Sequence, residues 1–263
     1  MTRLLTALLT GFLISAVTVQ PAFAKEYEWQ EERGRHTIVF YRSAPRDFVQ
    51  SVEESAEDYY SRITRTFGFP RRGVWSYDER VKIYIYDNED EYVTVGQQKR
   101  WSHGVASPYE KIIRTYPSAS GFFDTTLPHE LAHIVFREYV GYRTFIPTWF
   151  EEGVAMYAER AKRFGAHNAV REARRRGQFR TLQELTLTGM RGINGRQEAA
   201  LFYMHAASIV KFMIDEHGKQ KFVRFCRKLK EGKPFDWALD ESYPRFKNTD
   251  RLNEAWVKFL DND

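Results

Sequence analysis

Five consecutive residues, His129-Glu130-Leu131-Ala132-His133, constrain this 263-residue chain more than any other stretch. In a helix, positions i and i+4 stand on one face, so the two imidazoles can grip a single metal ion. Glu130 then lies beside that ion, within reach of a water the ion activates. Eighteen residues separate His133 from Glu152, which sits inside Trp149-Phe150-Glu151-Glu152-Gly153. Two histidines and one carboxylate leave the fourth position of a tetrahedral zinc ion open, which is the donor set of a catalytic site rather than a structural one.

The residue types divide the work. His129 and His133 are candidate metal ligands. Glu130 is the candidate general base, taking a proton from the attacking water and passing it to a leaving amine. The third ligand is Glu151 or Glu152. Thr148-Trp149-Phe150-Glu151 reads as a capping box, with Thr148 at the N-cap and Glu151 reaching back to it, which gives Glu151 a structural task. An oxyanion also needs a donor. Tyr203 and His205 are candidates on one expected helix. They lie about 200° apart around it, so only one can face the metal, and periodicity does not decide between them.

Residues 129–157 resemble the gluzincin zinc metallopeptidases, the group of thermolysin and the zinc aminopeptidases. The segment Trp149-Phe150-Glu151-Glu152-Gly153-Val154-Ala155-Met156-Tyr157 is similar to the second metal-binding helix of that group. The chain is also similar, from about Val81 to its C-terminus, to the small bacterial peptidase MA-like proteins. The resemblance implies one Zn²⁺ per chain on His129, His133 and Glu152, Tyr203 as the oxyanion donor, and a peptide or protein substrate. It also implies a sheet-edge strand beside the cleft, expected between Val105 and Tyr116, to which an extended peptide can add. Two departures stand out. Met156 occupies the place where thermolysin-type enzymes carry an Asp that orients a ligand histidine. No Gly-x-Met-Glu-Asn segment, with which aminopeptidases of the group hold a substrate's amino terminus, precedes the metal helix, so endopeptidase is the expected activity.

The first 24 residues read as an export signal. Arg3 gives a positive start, Leu4 to Val19 is apolar, and Ala22-Phe23-Ala24 after Pro21 is a small-x-small cleavage site. The mature chain is expected to begin at Lys25 and to be periplasmic or secreted, with no membrane span. The single cysteine, Cys226, cannot form an internal disulfide, so stability rests on packing, for which 20 Phe, 15 Tyr and 6 Trp are available. The formal net charge is +5. The basic residues are dispersed except for Arg171, Arg174, Arg175, Arg176 and Arg180, which read as a solvated helix face or as a contact for an anionic envelope component. Nucleic acid is not an expected partner of an exported chain without a nucleic-acid motif.

The pattern along the chain implies an α+β fold: a mixed α/β lobe over 25–122, a mainly helical lobe over 123–263, and zinc between them in one metallopeptidase domain. Strands are expected at Thr37–Tyr41, Val81–Tyr86 and Lys111–Tyr116. Helices are expected over 46–67, from the opening segment Thr125-Thr126-Leu127-Pro128 to Gly141, from Pro147-Thr148, over about 197–217 and 219–230, and from about Asn248 to Leu260. A competing reading, a non-peptidase envelope protein with a structural or binding metal site, does not need Glu130. Metal-assisted hydrolysis of a non-peptide amide or ester does.

Overall fold

The computed structural model describes residues 28–70, 73–97, 104–189, 192–193 and 195–262, with the backbone alone at 160–162. The expected leader and its Lys25 junction lie outside the described residues. The fold is α+β, a small mixed sheet followed by a mainly helical lobe.

Strands β1 (Gln30–Arg33), β2 (Thr37–Tyr41), β3 (Val81–Ile85), β4 (Val105–Ser107) and β5 (Ile112–Thr115) form a sheet in the order β1-β2-β3-β5-β4. The inner strands are parallel, with Thr37 opposite Val81 and Ile83 opposite Ile113, while β1 and β4 close the two edges antiparallel. In β3 the alternation of the sequence becomes an alternation of burial. Val81, Ile83 and Ile85 are fully covered while Lys82 and Tyr84 between them are partly exposed. The stretch from Val105 to Tyr116 holds the expected edge strand as one arm of a hairpin. Only Val105–Ser107 forms the edge, and Ile112–Thr115 is an interior strand.

Helix α1 (Arg46–Phe67) is the crossover between β2 and β3. Its buried stripe Val49, Val52, Ala56, Tyr60, Ile63, Phe67 repeats at helical spacing, as the sequence requires. Gly68 ends it at φ 71°, and a Cβ there would meet Val223 Cγ2 at 2.8 Å, so both backbone and space demand glycine. Glu57 pins α1 to the start of β2, accepting from the backbone N–H groups of His36 (2.7 Å) and Thr37 (3.2 Å) and pairing with His36 Nδ1 (2.6 Å). The short helix α2 (Glu89–Thr94) follows β3.

The helical lobe comprises α3 (Leu127–Val140), α4 (Thr148–Ala158), α5 (Arg160–Arg175), α6 (Leu182–Thr188), α7 (Arg196–Lys211), α8 (Lys219–Lys230), α9 (Phe235–Ser242) and α10 (Thr249–Asn262). The segment expected as one helix over 197–217 changes to a π-helical turn at Phe212–Glu216 before Gly218 stops it. A second π-helical turn, Phe122–Thr126, leads into α3, which opens within the expected Thr125–Pro128 segment and carries Pro128 in its first turn. One hydrophobic cluster runs from Val39 and Ile83 in the sheet through Phe136 and Phe150 to Trp256. Phe150 is its hub, with the rings of Phe136, Phe222, Phe225 and Phe235 at 5.4–6.0 Å. Cys226 is buried in this core, where burial pushes its thiol pKa up and leaves it inert. No helix among the described residues is long and apolar enough to cross a membrane.

The arginine run of α5 and its exit is tied up locally. Arg171 bonds the Leu260 carbonyl, Arg174 pairs with Asp261, Arg175 and Arg176 share Glu172, and Arg180 pairs with Glu198. Any anionic partner would have to compete with these carboxylates.

Candidate active site

Helix α3 keeps its apolar residues, among them Leu131, Val135 and Phe136, in the core. That orientation turns His129 and His133 together toward α4. Their Nε2 atoms are 3.2 Å apart, and each is 3.4 Å from Glu152 Oε2. Four ligands about 2.0–2.1 Å from a tetrahedral zinc ion stand about 3.3–3.4 Å from one another, so these three donors already form one face of such a tetrahedron. Glu152 Oε2 is buried and accepts no hydrogen bond among the described residues. A buried carboxylate oxygen without a donor is costly unless a cation meets it, so the residues present fit a metal.

Gly153 sets the position of Glu152. A Cβ on it would come within 2.3 Å of the Ala206 carbonyl and 2.6 Å of Val210 Cγ2, so the missing side chain lets α4 lie against α7. Trp149 fixes the start of α4, fully buried and donating from Nε1 to Thr186 Oγ1 at 2.9 Å. The expected capping box does not form. Pro147 is the N-cap, Thr148 is already helical, and Glu151 instead pairs with Arg137 of α3. Glu151 therefore has a structural partner, but across the helix pair rather than within its own first turn.

Met156 leaves the ligand histidines without the orienting residue expected one turn after Glu152. Glu159 fills that place for His129: its Oε1 is 2.8 Å from His129 Nδ1, and its side chain is 2% exposed. A proton on Nδ1 donated to this carboxylate leaves Nε2 with a lone pair aimed at the donor triangle. A signal for it is present in the sequence. Glu159 follows Glu152 by seven residues, two helical turns along the same face, at the break where α4 gives way to α5. Burial lowers the His129 pKa, but the carboxylates of Glu152 and Glu159 outweigh it and hold the ring up at about 10. Burial likewise raises Glu152, and the two imidazoles more than reverse this, holding it well below the usual carboxylate range. The site carries surplus negative charge, as a dication site requires.

Glu130 is nearly buried beside the triangle. Burial pushes its carboxyl pKa up and Glu152 adds to this, while His129, His133 and a hydrogen bond from the Ala106 N–H oppose it in part. Ala106 is the middle residue of the edge strand β4, so the candidate base is tied to the free side of the sheet. Tyr203 of α7 presents its ring to His129 with centroids 6.3 Å apart. Burial and the charges of Glu152, Glu130 and Glu159 raise its hydroxyl pKa, so it stays protonated and able to donate. His205 points elsewhere. It is fully buried, donates from Nδ1 to the Leu201 carbonyl at 2.7 Å, accepts from the Arg180 N–H at 3.2 Å, and packs on Phe179 and Trp256.

A family model for the peptidase MA superfamily matches residues 72–262. The chain belongs to this superfamily. The match spans the sheet from β3 onward and the helical lobe, so every residue of the donor triangle lies within it. A search of curated proteins finds no significant match. Among the described residues the His129, His133, Glu152 group is the cluster in this peptidase-superfamily chain able to hold a metal ion.

Proposed function

We propose that the protein is an exported, zinc-dependent endopeptidase. The observation that carries this reading is the donor triangle at tetrahedral spacing with Glu130 beside it. Zinc on His129, His133 and Glu152 would supply a Lewis acid that lowers the pKa of water and polarises a carbonyl oxygen. Glu130 takes the proton of the attacking water and delivers it to the leaving amine, and its raised pKa suits both transfers. The Tyr203 hydroxyl donates to the oxygen on which negative charge builds. The edge of β4 holds the substrate extended. Ala106, the middle residue of that edge, lies beside Glu130, so a peptide added to β4 passes the candidate base.

The purified chain is expected to hold about one zinc ion, and a series of variants ranks the residues around it. Glu152→Gln loses a ligand and should release zinc. Glu159→Gln keeps all three donors and should weaken zinc binding about 10–100-fold through the loosened His129. Glu151→Gln should leave zinc affinity as it is. Chelator competition followed by elemental analysis measures all three. A tighter hold in Glu152→Gln than in Glu151→Gln would refute the ligand assignment, and a chain that takes up no zinc after loading would refute the metal centre. For export, mass spectrometry of protein made with an intact secretion system should find Lys25 at the N-terminus, and a retained leader in the membrane fraction would mark residues 1–24 as an anchor.

A further inference from the structure

Three exposed aromatic side chains stand on one turn and its neighbouring loop, past the C-terminal end of the stripe of α3 that carries His129 and His133. Tyr109, in the turn between β4 and β5, is 79% exposed, and Phe145, in the loop from α3 to α4, is 76% exposed. Tyr142 of the same loop is 49% exposed and meets Tyr109 edge to face, with centroids 5.5 Å apart. A single exposed aromatic side chain is ordinary, but three from one turn and its neighbouring loop are not. They are also held in place. The Arg137 guanidinium lies over Tyr142 at 5.1 Å, pairs with Glu151 and donates to the Gly141 carbonyl at 3.1 Å. Lys111, at the end of the Tyr109 turn, pairs with Glu138 of α3 at 2.6 Å. Turn and loop are thus braced on α3 while their rings face outward, so a ligand would meet a surface already ordered.

Both walls of the cleft lead to this cluster. Arg137 follows His129 and His133 at i+8 and i+4, so the stripe of α3 that carries two of the metal donors runs on to the residue stacked on Tyr142. On the other wall, Ala106 faces Glu130, and Tyr109, in the turn that follows β4, is three residues further along the chain, so its Cα lies no more than about 10 Å from that of Ala106. A peptide extended along β4 with its reacting bond beside Glu130 therefore brings a side chain about three residues away over the rings.

We propose that Tyr109, Tyr142 and Phe145 form a specificity subsite for a large apolar side chain, foremost an aromatic one, about three residues from the scissile bond of an extended peptide. The subsite rests on the endopeptidase reading above. Continuity with the free edge of β4 selects a peptide as its occupant.

The test uses Tyr109→Ala/Phe145→Ala, leaving Tyr142 in place because Arg137 packs on it. Quenched-fluorescence decapeptides carry Phe or Asp at each position two to four residues from the cleaved bond, on either side, and a pentapeptide too short to reach the rings is the reference. Wild type should favour Phe at one such position by about tenfold in kcat/KM relative to the pentapeptide, and the double variant should lose that ratio through KM. No positional preference in wild type, or the same preference in the variant, overturns the subsite. Pentapeptide cleavage separates the two failures, because a wild type that cleaves nothing rejects the endopeptidase reading. Anisotropy of a labelled Phe decapeptide on Glu130→Gln then measures binding independently of turnover, with equal affinity in the presence and absence of the two rings again overturning the subsite. Reduced sedimentation with phosphatidylglycerol vesicles, with unchanged peptide constants, would assign the rings to a membrane surface instead and overturn it.

Discussion

Glu130→Gln is expected to lower peptide turnover by about 10²–10⁴-fold, the usual contribution of a positioned general base, with zinc content and thermal unfolding as in wild type. The substitution is nearly isosteric. Its amide oxygen can still accept from the Ala106 N–H, so the tie between α3 and β4 should survive. What is lost is a group that can take and return a proton. The base is specifically needed here because its surroundings favour the protonated carboxyl less than full burial alone would: His129 and His133 and the Ala106 N–H hold part of the shift back. Steady-state turnover of a quenched peptide, elemental analysis and calorimetry on the same preparation make the measurement. Turnover equal to wild type would rule out the mechanism. Loss of zinc along with turnover would make Glu130 a structural element of the site rather than its base.

The readable parts of the fold are those whose signals are local. β2 and α1 have the bounds the sequence implies, because an apolar β-branched run and a clean helical stripe each end at a residue with its own reason to stop, Gly68 in the second case. β1, with the sequence Gln-Glu-Glu-Arg, carries no strand pattern. It is a polar edge that exists only because β2 offers it hydrogen bonds. β4 is three residues long and is defined by its partner β5 and by Glu130. The same distinction holds in the site. The i, i+4 histidines and the Trp-x-x-Glu-Gly segment are patterns within single helices. The pairing of Glu159 with His129 depends on how α3 lies against α4, and the capping box fails because Pro147, which has no N–H to offer, takes the N-cap while Arg137 across the helix pair takes Glu151.

Tyr203→Phe is expected to lower kcat by about 10²–10³-fold, the effect of removing one preorganised oxyanion donor. The ring stays, so its edge-on contact with His129 and the packing of α7 against Met156 and Ala166 should persist, leaving zinc content and unfolding temperature nearly unchanged. No hydrogen bond ties the hydroxyl to another described residue, so its removal strands no partner. His205→Ala forecasts the reverse. That imidazole is fully buried and accepts from the Arg180 N–H, so its loss strands that donor, at about 1–3 kcal/mol, and opens a cavity beside Trp256, while the Leu201 carbonyl keeps its helical partner. Turnover per folded, zinc-loaded molecule should hold. The two residues share one helix and differ by about 200° around it, so the pair of variants reads the rotation of α7 directly. A fall in kcat with His205→Ala and none with Tyr203→Phe would place the oxyanion on the opposite face of α7, which the burial of His205 against Phe179 and Trp256 forbids unless the helix turns during catalysis.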